Sequence, residues 1–598
     1  MILQALVKLY EDLLSRGEIA SEGWSQVKIS YAVCIDENGS ALQVIPQVVE
    51  ELRGKKTVLS SRQVMLPAPV TKSSGIVSNF LWENADYLLG IPKDPEDSEK
   101  SAKRFAACRE KHHELLDGIE SDAAKAVLAF FDNWDNANAA EHPETREIAD
   151  ELRKGCNLTF RFKAGFVSDD EAIKRAWNNH YSASSGEKLQ CLVTGEYGPY
   201  EPTHPKIKGV NGAQSSGASI VSFNAPAFCS YDREQNANAP VGKYASFAYT
   251  TALNYLLADK NYVQRIGDAT VVFWAEGAKP QYRALSLAAL FGNTESSGFT
   301  DDELQTAVAR LAKGLPVEKL DVEADRTFYI LGLSPNSSRL SVRFFLKGSF
   351  GSFMKNINDH HERMRIDKPS FDKFETVPLW KLLSETVRPK RDNDEKASIT
   401  VNPLLAGAVT RSVFTGIQYP SSLIESIMLR VRTDHIGGKR KEETEKREFA
   451  IREYHRAAII KAYYLKNPNQ GCPKEVLTVS LNESSTNTAY NLGRLFSVYE
   501  AVQQKANPDI GTTIRDKYFC SAAATPATIF PVLNNLCKMH LRKLDDDGLR
   551  IYFEKLIGEI KGKFGEKYPL RLSLPEQGSF DLGYYHQTQK RFTKKEEN

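Results

Sequence analysis

The sequence predicts an α+β protein, with a large mixed α/β N-terminal body followed by an all-helical C-terminal bundle. Strand-type runs rich in β-branched and aromatic residues recur up to about residue 346, whereas later apolar residues follow helical spacing. The 598 residues are 41% hydrophobic and 26% charged, which supplies packed cores and excludes wholesale disorder. We therefore expect a body over 1–370, a helical connecting region over 371–472, and a helical bundle over 473–598.

The first third begins with an amphipathic helix. Residues 1–18 place apolar side chains at helical intervals, and charges interrupt them too often for a signal peptide. Strands follow over 27–35 and 41–45, joined by a turn at Asn38–Gly39. Residues 94–151 then indicate helices with a polar interruption.

Strands return between residues 189 and 346, with helices between them. The alternation and β-branched content predict strands over 189–194, 219–224, 269–275, 326–333 and 339–346. Helical spacing predicts helices over 244–258 and 301–313.

Beyond residue 370 the pattern is helical. A charged stretch over 388–398 indicates an exposed linker, and NPNQGCP at 467–473 is a strong helix breaker. The apolar spacing predicts helices over 403–416, 420–431, 445–466, 488–505, 526–543 and 546–562.

Cysteine usage and hydropathy predict a cytoplasmic protein. The eight cysteines are sparse and form no Cys-x-x-Cys pair, which is typical of free thiols in a reducing compartment. No apolar run reaches the ~18 residues of a membrane span, so we expect no membrane partner.

Three stretches lack carboxylates but contain lysines and arginines. They lie between Glu51 and Glu83, between Glu201 and Asp232, and between Asp325 and Asp359. Basic side chains neutralise phosphates, and the phenylalanines of the third stretch have the ring type that stacks on unpaired bases. Each stretch alone also fits a solvated face, but together they favour a polyanionic partner.

No catalytic set is recognisable, so we expect a binding subunit, not an enzyme, without metal or cofactor. There is no phosphate-binding Gly-x4-Gly-Lys motif, and Ser215 and Ser216 lie in no nucleophile elbow. Asp359-His360-His361 matches the DHH string of a phosphoesterase family, which leaves a metal-dependent phosphoesterase open. A purely scaffolding subunit without DNA contact also stays open.

Several long segments resemble one known family. They are LVTGE at 192–196, IKGVNGAQSSGASIVSFNAPAF at 207–228, QNANAPVGKYASFAYTTALNYLL at 235–257, VVFWAE at 271–276, LSPNSSRLSVRFF at 333–345, YNLGRLFSVYEAVQ at 490–503 and LGYYHQ at 582–587. In these segments, spread along most of the chain, the sequence resembles the large subunit of the type I-C CRISPR interference complex, Cascade.

The resemblance implies a non-catalytic role in RNA-guided antiviral defence. In this family a guide RNA pairs with target DNA, while the large subunit recognises the protospacer-adjacent motif beside the target and helps form the R-loop. The implied partners are the guide RNA, double-stranded target DNA and its displaced strand, the Cascade backbone and small subunits, and a recruited helicase–nuclease. The family also makes small subunits by internal translation, which would correspond here to the helices after Pro473.

The side chains of two loops make them candidates for contact with the flanking motif. In the loop over 67–80, Lys72 would contact phosphate, Ser73 and Ser74 would let the backbone enter a groove, and Asn79 would contact a base edge. In the Gly/Ser loop, Gln214 is a candidate wedge between bases. The candidates of this second loop are Lys206, Lys208, Asn211, Gln214, Ser215 and Asn224. Both loops also fit structural turns.

Basic residues of the C-terminal bundle are candidates for contact with the displaced strand, whose phosphates need a basic track. They are Arg494, Arg515, Lys538, Arg542 and Lys543. Ordinary pairing with Asp516, Asp545 and Asp546 is the alternative.

Overall fold

The computed structural model divides the chain into two compact units. Unit 1 comprises Met1–Pro205 and Val221–Leu253, and unit 2 comprises Lys206–Ile220 and Asn254–Asn598. The structure describes residues 1–53, 56–70, 75–183, 186–260, 263–277, 279–291, 300–372, 374, 376–388, 400–434, 443–508, 510–565 and 567–592.

Unit 1 contains a mixed sheet and an antiparallel sheet. The mixed sheet has the order β3-β2-β7-β6, with β8 also paired to β7, and β2 runs parallel to β7. The antiparallel sheet has the order β1-β5-β4, and β9 and β10 form a separate hairpin. The strands are β1 Trp24–Ile29, β2 Tyr31–Ile35, β3 Ala41–Pro46, β4 Val48–Arg53, β5 Lys56–Pro67, β6 Trp82–Asn84, β7 Asn157–Phe162, β8 Gly165–Phe166, β9 Lys188–Gln190 and β10 Tyr197–Pro199.

Helices cover the mixed sheet of unit 1. Phe130 of α4 packs on Phe160 of β7, with ring centroids 5.1 Å apart, inside one buried apolar cluster. Tyr10 of α1 packs edge-on against Phe247 of α7. The helices are α1 Ile2–Ser15, α2 Ala85–Leu88, α3 Ser98–Leu116, α4 Asp122–Asn133, α5 Ala149–Leu152, α6 Glu171–Ser182 and α7 Lys243–Ala258, of which the last residues belong to unit 2.

Unit 2 combines a four-stranded antiparallel sheet with many helices. The sheet has the order β11-β12-β13-β14, formed by Gln264–Ile266, Ala269–Ala275, Thr327–Asn336 and Arg339–Ser349. Its helices are α8 Pro280–Phe291, α9 Asp301–Ala312, α10 Phe350–Met364, α11 Leu379–Ser384, α12 Pro403–Thr415, α13 Ser421–Thr433, α14 Glu443–Lys466, α15 Thr488–Ala506, α16 Ile514–Ala524, α17 Pro526–Leu541, α18 Asp547–Lys561 and α19 Leu574–Lys590.

One apolar core runs from the sheet of unit 2 to its last helix. It includes Phe273 of β12, Phe414 of α12 and Tyr584 of α19. Helices α15 and α19 approach each other most closely where each carries a glycine: an added Cβ on Gly493 would lie 1.9 Å from the Phe580 oxygen, and one on Gly583 would lie 2.0 Å from the Tyr490 oxygen. No side chain fits at either position, so the two glycines set this helix contact.

The predicted α+β class is confirmed, and so are most predicted elements. The helices at 244–258, 301–313 and those from 403 to 562 appear within a few residues, as do the strands at 269–275, 326–333 and 339–346. The strand expected over 219–224 is wrong, because Ser219 makes only an isolated bridge, and the strand at 189–194 ends at Gln190 in a turn. The division at 370 and 472 stays a prediction, and most of the linker at 388–398 lies outside the described residues.

Several elements were not predicted from the sequence, among them β7, α6 and α8. The β4–β5 hairpin was not predicted because its run mixes charged and β-branched residues, and helices α16 and α19 were not predicted because their apolar residues are not confined to one stripe. Among the described residues, no helix is both long and apolar enough to cross a membrane.

Candidate nucleic-acid interface

The Gly/Ser loop of unit 2 is anchored at its base by backbone pairing. Ile207 and Ala218 exchange two N–H···O hydrogen bonds of 2.9 Å. Beyond them, the Ser219 amide donates to the Ser338 oxygen, and the Leu340 amide donates to the Ser219 oxygen at 2.9 Å. The loop is therefore closed at its base and pairs there with the beginning of β14.

Two side chains from distant elements hold the loop backbone. Asn254 of α7 accepts from the Lys208 amide at 2.8 Å and donates to the Lys206 oxygen at 3.0 Å. The Thr270 hydroxyl of β12 accepts from the Asn211 amide at 3.0 Å. Neither residue was predicted from the sequence, although Asn254 stands out as a single asparagine within the apolar run of this helix.

Glycine is required where the loop closes. Gly217 has φ +96, and an added Cβ would lie 2.8 Å from the Lys206 Cβ and 2.9 Å from the Ile207 oxygen. Both the left-handed backbone and the close approach exclude a larger residue there.

The structure brings five of the six predicted residues of the second loop together. Lys206, Lys208, Asn211, Gln214 and Ser215 all lie exposed on the anchored loop of unit 2. The Lys206 ammonium donates to the Ser219 hydroxyl at 2.8 Å, and the Gln214 oxygen accepts from the Gly217 amide at 2.9 Å. The loop thus presents two cations and small polar groups without any carboxylate between residues 206 and 220. Asn224 is exposed but belongs to unit 1.

In the first predicted loop, Lys72, Ser73 and Ser74 lie outside the described residues. Asn79 is only 4% exposed. Its side-chain oxygen accepts from the Val70 amide at 2.9 Å, and its amide nitrogen donates to Glu83 at 3.1 Å. The Asn79 side chain is therefore engaged inside the protein through both its oxygen and its nitrogen.

The structure places two of the five C-terminal candidates in the interior. Arg494 is buried, donating to Gln587 at 3.1 Å and to Asn491 at 2.9 Å. Arg515 forms an ion pair with Glu453 and lies over the ring of Tyr584, 4.5 Å from its centroid. For these two residues the environment favours a structural role, although the pairing with Asp516 suggested as the alternative is not what holds Arg515.

Lys538, Arg542 and Lys543 are exposed near the end of α17. None of them forms an ion pair with another residue that the structure describes, so the expected pairing with Asp545 and Asp546 is not seen. Their spacing gathers three positive charges at one helix end, a feature that suits a phosphate backbone.

The Asp359-His360-His361 string does not converge on one point. Asp359 pairs with Lys355 at 2.7 Å on α10, whereas His360 is buried and its Nδ1 lies 2.6 Å from the Tyr419 hydroxyl. Within the described part of the chain, no three His, Cys, Asp or Glu side chains are placed to hold a metal ion. These three residues are therefore part of the packed helix α10.

Comparison with known proteins identifies the family. The family model described as CRISPR-associated protein (Cas_Csd1) matches residues 6–592, nearly the whole chain. No curated protein matches the sequence. The chain therefore belongs to this CRISPR-associated family, and the membership supports its assignment as the large subunit of a Cascade complex.

Proposed function

We propose that this chain is the large subunit of a type I-C Cascade complex that recognises the protospacer-adjacent motif in target DNA. It works with a guide RNA, the backbone subunits and small subunits in the cytoplasm. It helps to unwind the target into an R-loop, and a separate helicase–nuclease that docks on the complex cuts the DNA. Family membership and the geometry of the Gly/Ser loop support this proposal.

The exposed, anchored loop over 206–219 is the observation that carries the proposal. A loop that is fixed at its base loses little conformational freedom on binding, so its polar groups are preorganised for a ligand. Lys208 supplies charge for a phosphate, and Asn211 and Gln214 supply donors and acceptors for base edges. Flanking-motif recognition needs this combination of positioning and readout, as in other CRISPR effectors.

The chain itself needs no catalytic role in this scheme. Asp359 and His360 of the DHH string are each engaged with another side chain, Lys355 and Tyr419. If the string nevertheless held a catalytic metal, Asp359→Ala would abolish a metal-dependent phosphoesterase activity, and metal analysis of the purified chain would find the ion.

The decisive experiment measures DNA binding by guide-loaded backbone subunits, with and without this chain, on targets whose flanking bases are randomised. We expect the chain to raise affinity only for particular flanks. An equal rise in affinity for every flanking sequence would show that the basic loops bind DNA without sequence preference. No rise in affinity at all would favour the alternative of a scaffolding subunit without DNA contact.

The Gly/Ser loop is then tested by Lys208→Ala. Losing one phosphate contact should weaken binding to every flank and lower the slope of log affinity against log salt by about 1. Lys313→Ala removes another exposed charge elsewhere in unit 2 and serves as the control.

For the first loop, Lys72→Ala should also weaken binding to targets that carry the flanking motif. Unchanged affinity at several salt concentrations would show that Lys72 is not part of the binding site.

A further inference from the structure

A short segment of unit 1 has an unusual backbone. Residues 230–233 and 234–237 form two successive tight turns, closed by hydrogen bonds from Arg233 to Ser230 at 3.1 Å and from Ala237 to Glu234 at 2.9 Å. Both central residues of each turn are left-handed: Tyr231 and Asp232 have φ +54 and +55, and Gln235 and Asn236 have φ +44 and +70.

Tyrosine is conformationally unfavourable at the centre of such a turn. Turns with two left-handed central residues favour Gly, Asn and Asp, because a larger side chain clashes with its own backbone in that conformation. Yet Tyr231 occupies the first central position, and this residue is 94% exposed. Tyr231 is exposed, so burial against the residues that the structure describes does not offset the strain. Strained residues of this kind concentrate at functional sites.

The turns are held rigidly at their base. The buried Asn236 side chain donates to the Pro202 oxygen at 2.8 Å, and Asn238 donates to the Phe228 oxygen at 2.9 Å. The Arg233 guanidinium donates to the Ala237 oxygen at 3.4 Å. The Tyr231 ring is therefore presented at the tip of a fixed structure, which lowers the entropy lost on binding.

The charge around the tip indicates the kind of partner. Asp232 and Glu234 are exposed beside Tyr231, against the single Arg233, so the tip carries net negative charge. Such a tip repels a phosphate backbone and is attracted to a basic protein surface. Tyrosine is also among the residues that most often anchor protein–protein interfaces.

We propose that Tyr231 is an anchor that inserts into an apolar pocket, bordered by Lys or Arg, on a neighbouring protein subunit. A subunit that carries guide RNA has such basic surfaces, and in this respect the inference rests on the proposed function. The Tyr231 ring would fill the pocket, and Asp232 and Glu234 would pair with the basic rim.

The test is Tyr231→Asn in the full chain, measured for assembly with guide-loaded backbone subunits. Asparagine suits a left-handed backbone, so the thermal midpoint should stay unchanged or rise by about 2 °C. Affinity for the backbone subunits should fall about tenfold or more, because an anchor residue is lost. Tyr231→Phe keeps the ring and should retain most of the affinity. Tyr197→Asn removes another exposed tyrosine of unit 1 and should change nothing.

Three results would overturn or redirect the inference. If wild type assembles normally and Tyr231→Asn assembles equally well, Tyr231 is not an anchor residue. This result would leave the proposed function intact. Normal assembly with weakened DNA binding would assign the ring to base stacking instead. Failure of the wild-type chain to assemble at all would count against the proposed function, which is a separate outcome.

Discussion

At the scale of single residues, burial separates arginines that look alike in the sequence. Arg515 and Arg542 are both basic residues of the C-terminal helices, but Arg515 lies among the rings of Phe449, Phe519 and Tyr584 and pairs with Glu453. Arg542 is exposed at a helix end. A guanidinium held by a carboxylate and three rings serves the fold, whereas an exposed one is available to a ligand.

We expect Arg515→Ala to destabilise the protein by about 3–5 kcal/mol, because it leaves the largely buried Glu453 carboxylate without its partner. Chemical denaturation measures this. The double variant Arg515→Met/Glu453→Leu should lose much less, since apolar residues replace both charges. Lys538→Ala should change stability by less than about 0.5 kcal/mol. A small effect of Arg515→Ala would show that the guanidinium does not support the core.

We expect Asp581 to make the stability of the protein depend on pH. It is buried beside Glu453, Arg456 and Arg515 in a small polar cavity, and it forms no hydrogen bond or ion pair with the residues described. Burial raises the pKa of Asp581 from 3.8 to about 6, against the lowering effect of Arg515 and Arg456. The folded state thus binds the proton more tightly than the unfolded state, so this contribution is present at low pH and lost as pH rises.

Between about pH 4 and pH 6, the unfolding free energy of the wild-type protein should therefore fall by roughly 2–3 kcal/mol. The Asp581→Asn variant should lack this fall, because its side chain does not titrate. The measurement is denaturant unfolding of both proteins across this range. Parallel pH profiles for the two proteins would contradict the assignment to Asp581.

At the scale of elements, α15 and α19 pack through glycines. These glycines lie in YNLGRLF and FDLGYYH, where the sequence alone indicates only a residue of low helix propensity. The helix backbones meet so closely that a single methyl group on either glycine would overlap a carbonyl oxygen.

Gly493→Ala should accordingly cost about 3 kcal/mol or more, because the helices must separate to admit a methyl group. The control is Gly558→Ala on α18, where an added Cβ meets no atom within 4 Å. That variant should be stabilising by about 0.5–1 kcal/mol through helix propensity. Equal effects of the two substitutions on the thermal midpoint would mean that the close packing of α15 and α19 does not matter.

At the scale of the whole molecule, two groups of basic residues lie exposed in unit 2. The Gly/Ser loop carries Lys206 and Lys208, and the end of α17 carries Lys538, Arg542 and Lys543. The near-zero total charge, +2, conceals both groups, since nucleic-acid binding depends on local charge and not on the sum.

The triple variant of Lys538, Arg542 and Lys543 to Ala should weaken retention of the displaced strand while leaving thermal stability unchanged. On single-stranded DNA, loss of three phosphate contacts lowers the slope of log affinity against log salt by about 2. A variant with Lys474, Lys505 and Lys517 replaced by Ala removes the same charge from other exposed positions. If both variants lose the same affinity, the effect is one of overall charge and the end of α17 is not a specific contact.

Local patterns in the chain were sufficient to predict its fold class, its family and many of its elements. Helical spacing and β-branched runs act over a few residues, so they predict α7, β12 or α17 without knowledge of the fold. The long motifs carried the resemblance to the CRISPR large subunit, and a family match over residues 6–592 supports it. Local polarity also picked out the Gly/Ser loop.

Tertiary contacts determine which candidate side chains reach solvent. Arg494 looks like a binding residue in the sequence, but Gln587, 93 residues further along the chain, engages it inside the protein. Asn254 and Thr270 support the Gly/Ser loop from elements far along the chain. Exposure and hydrogen bonding depend on which distant segments pack together, and no local pattern encodes those partners.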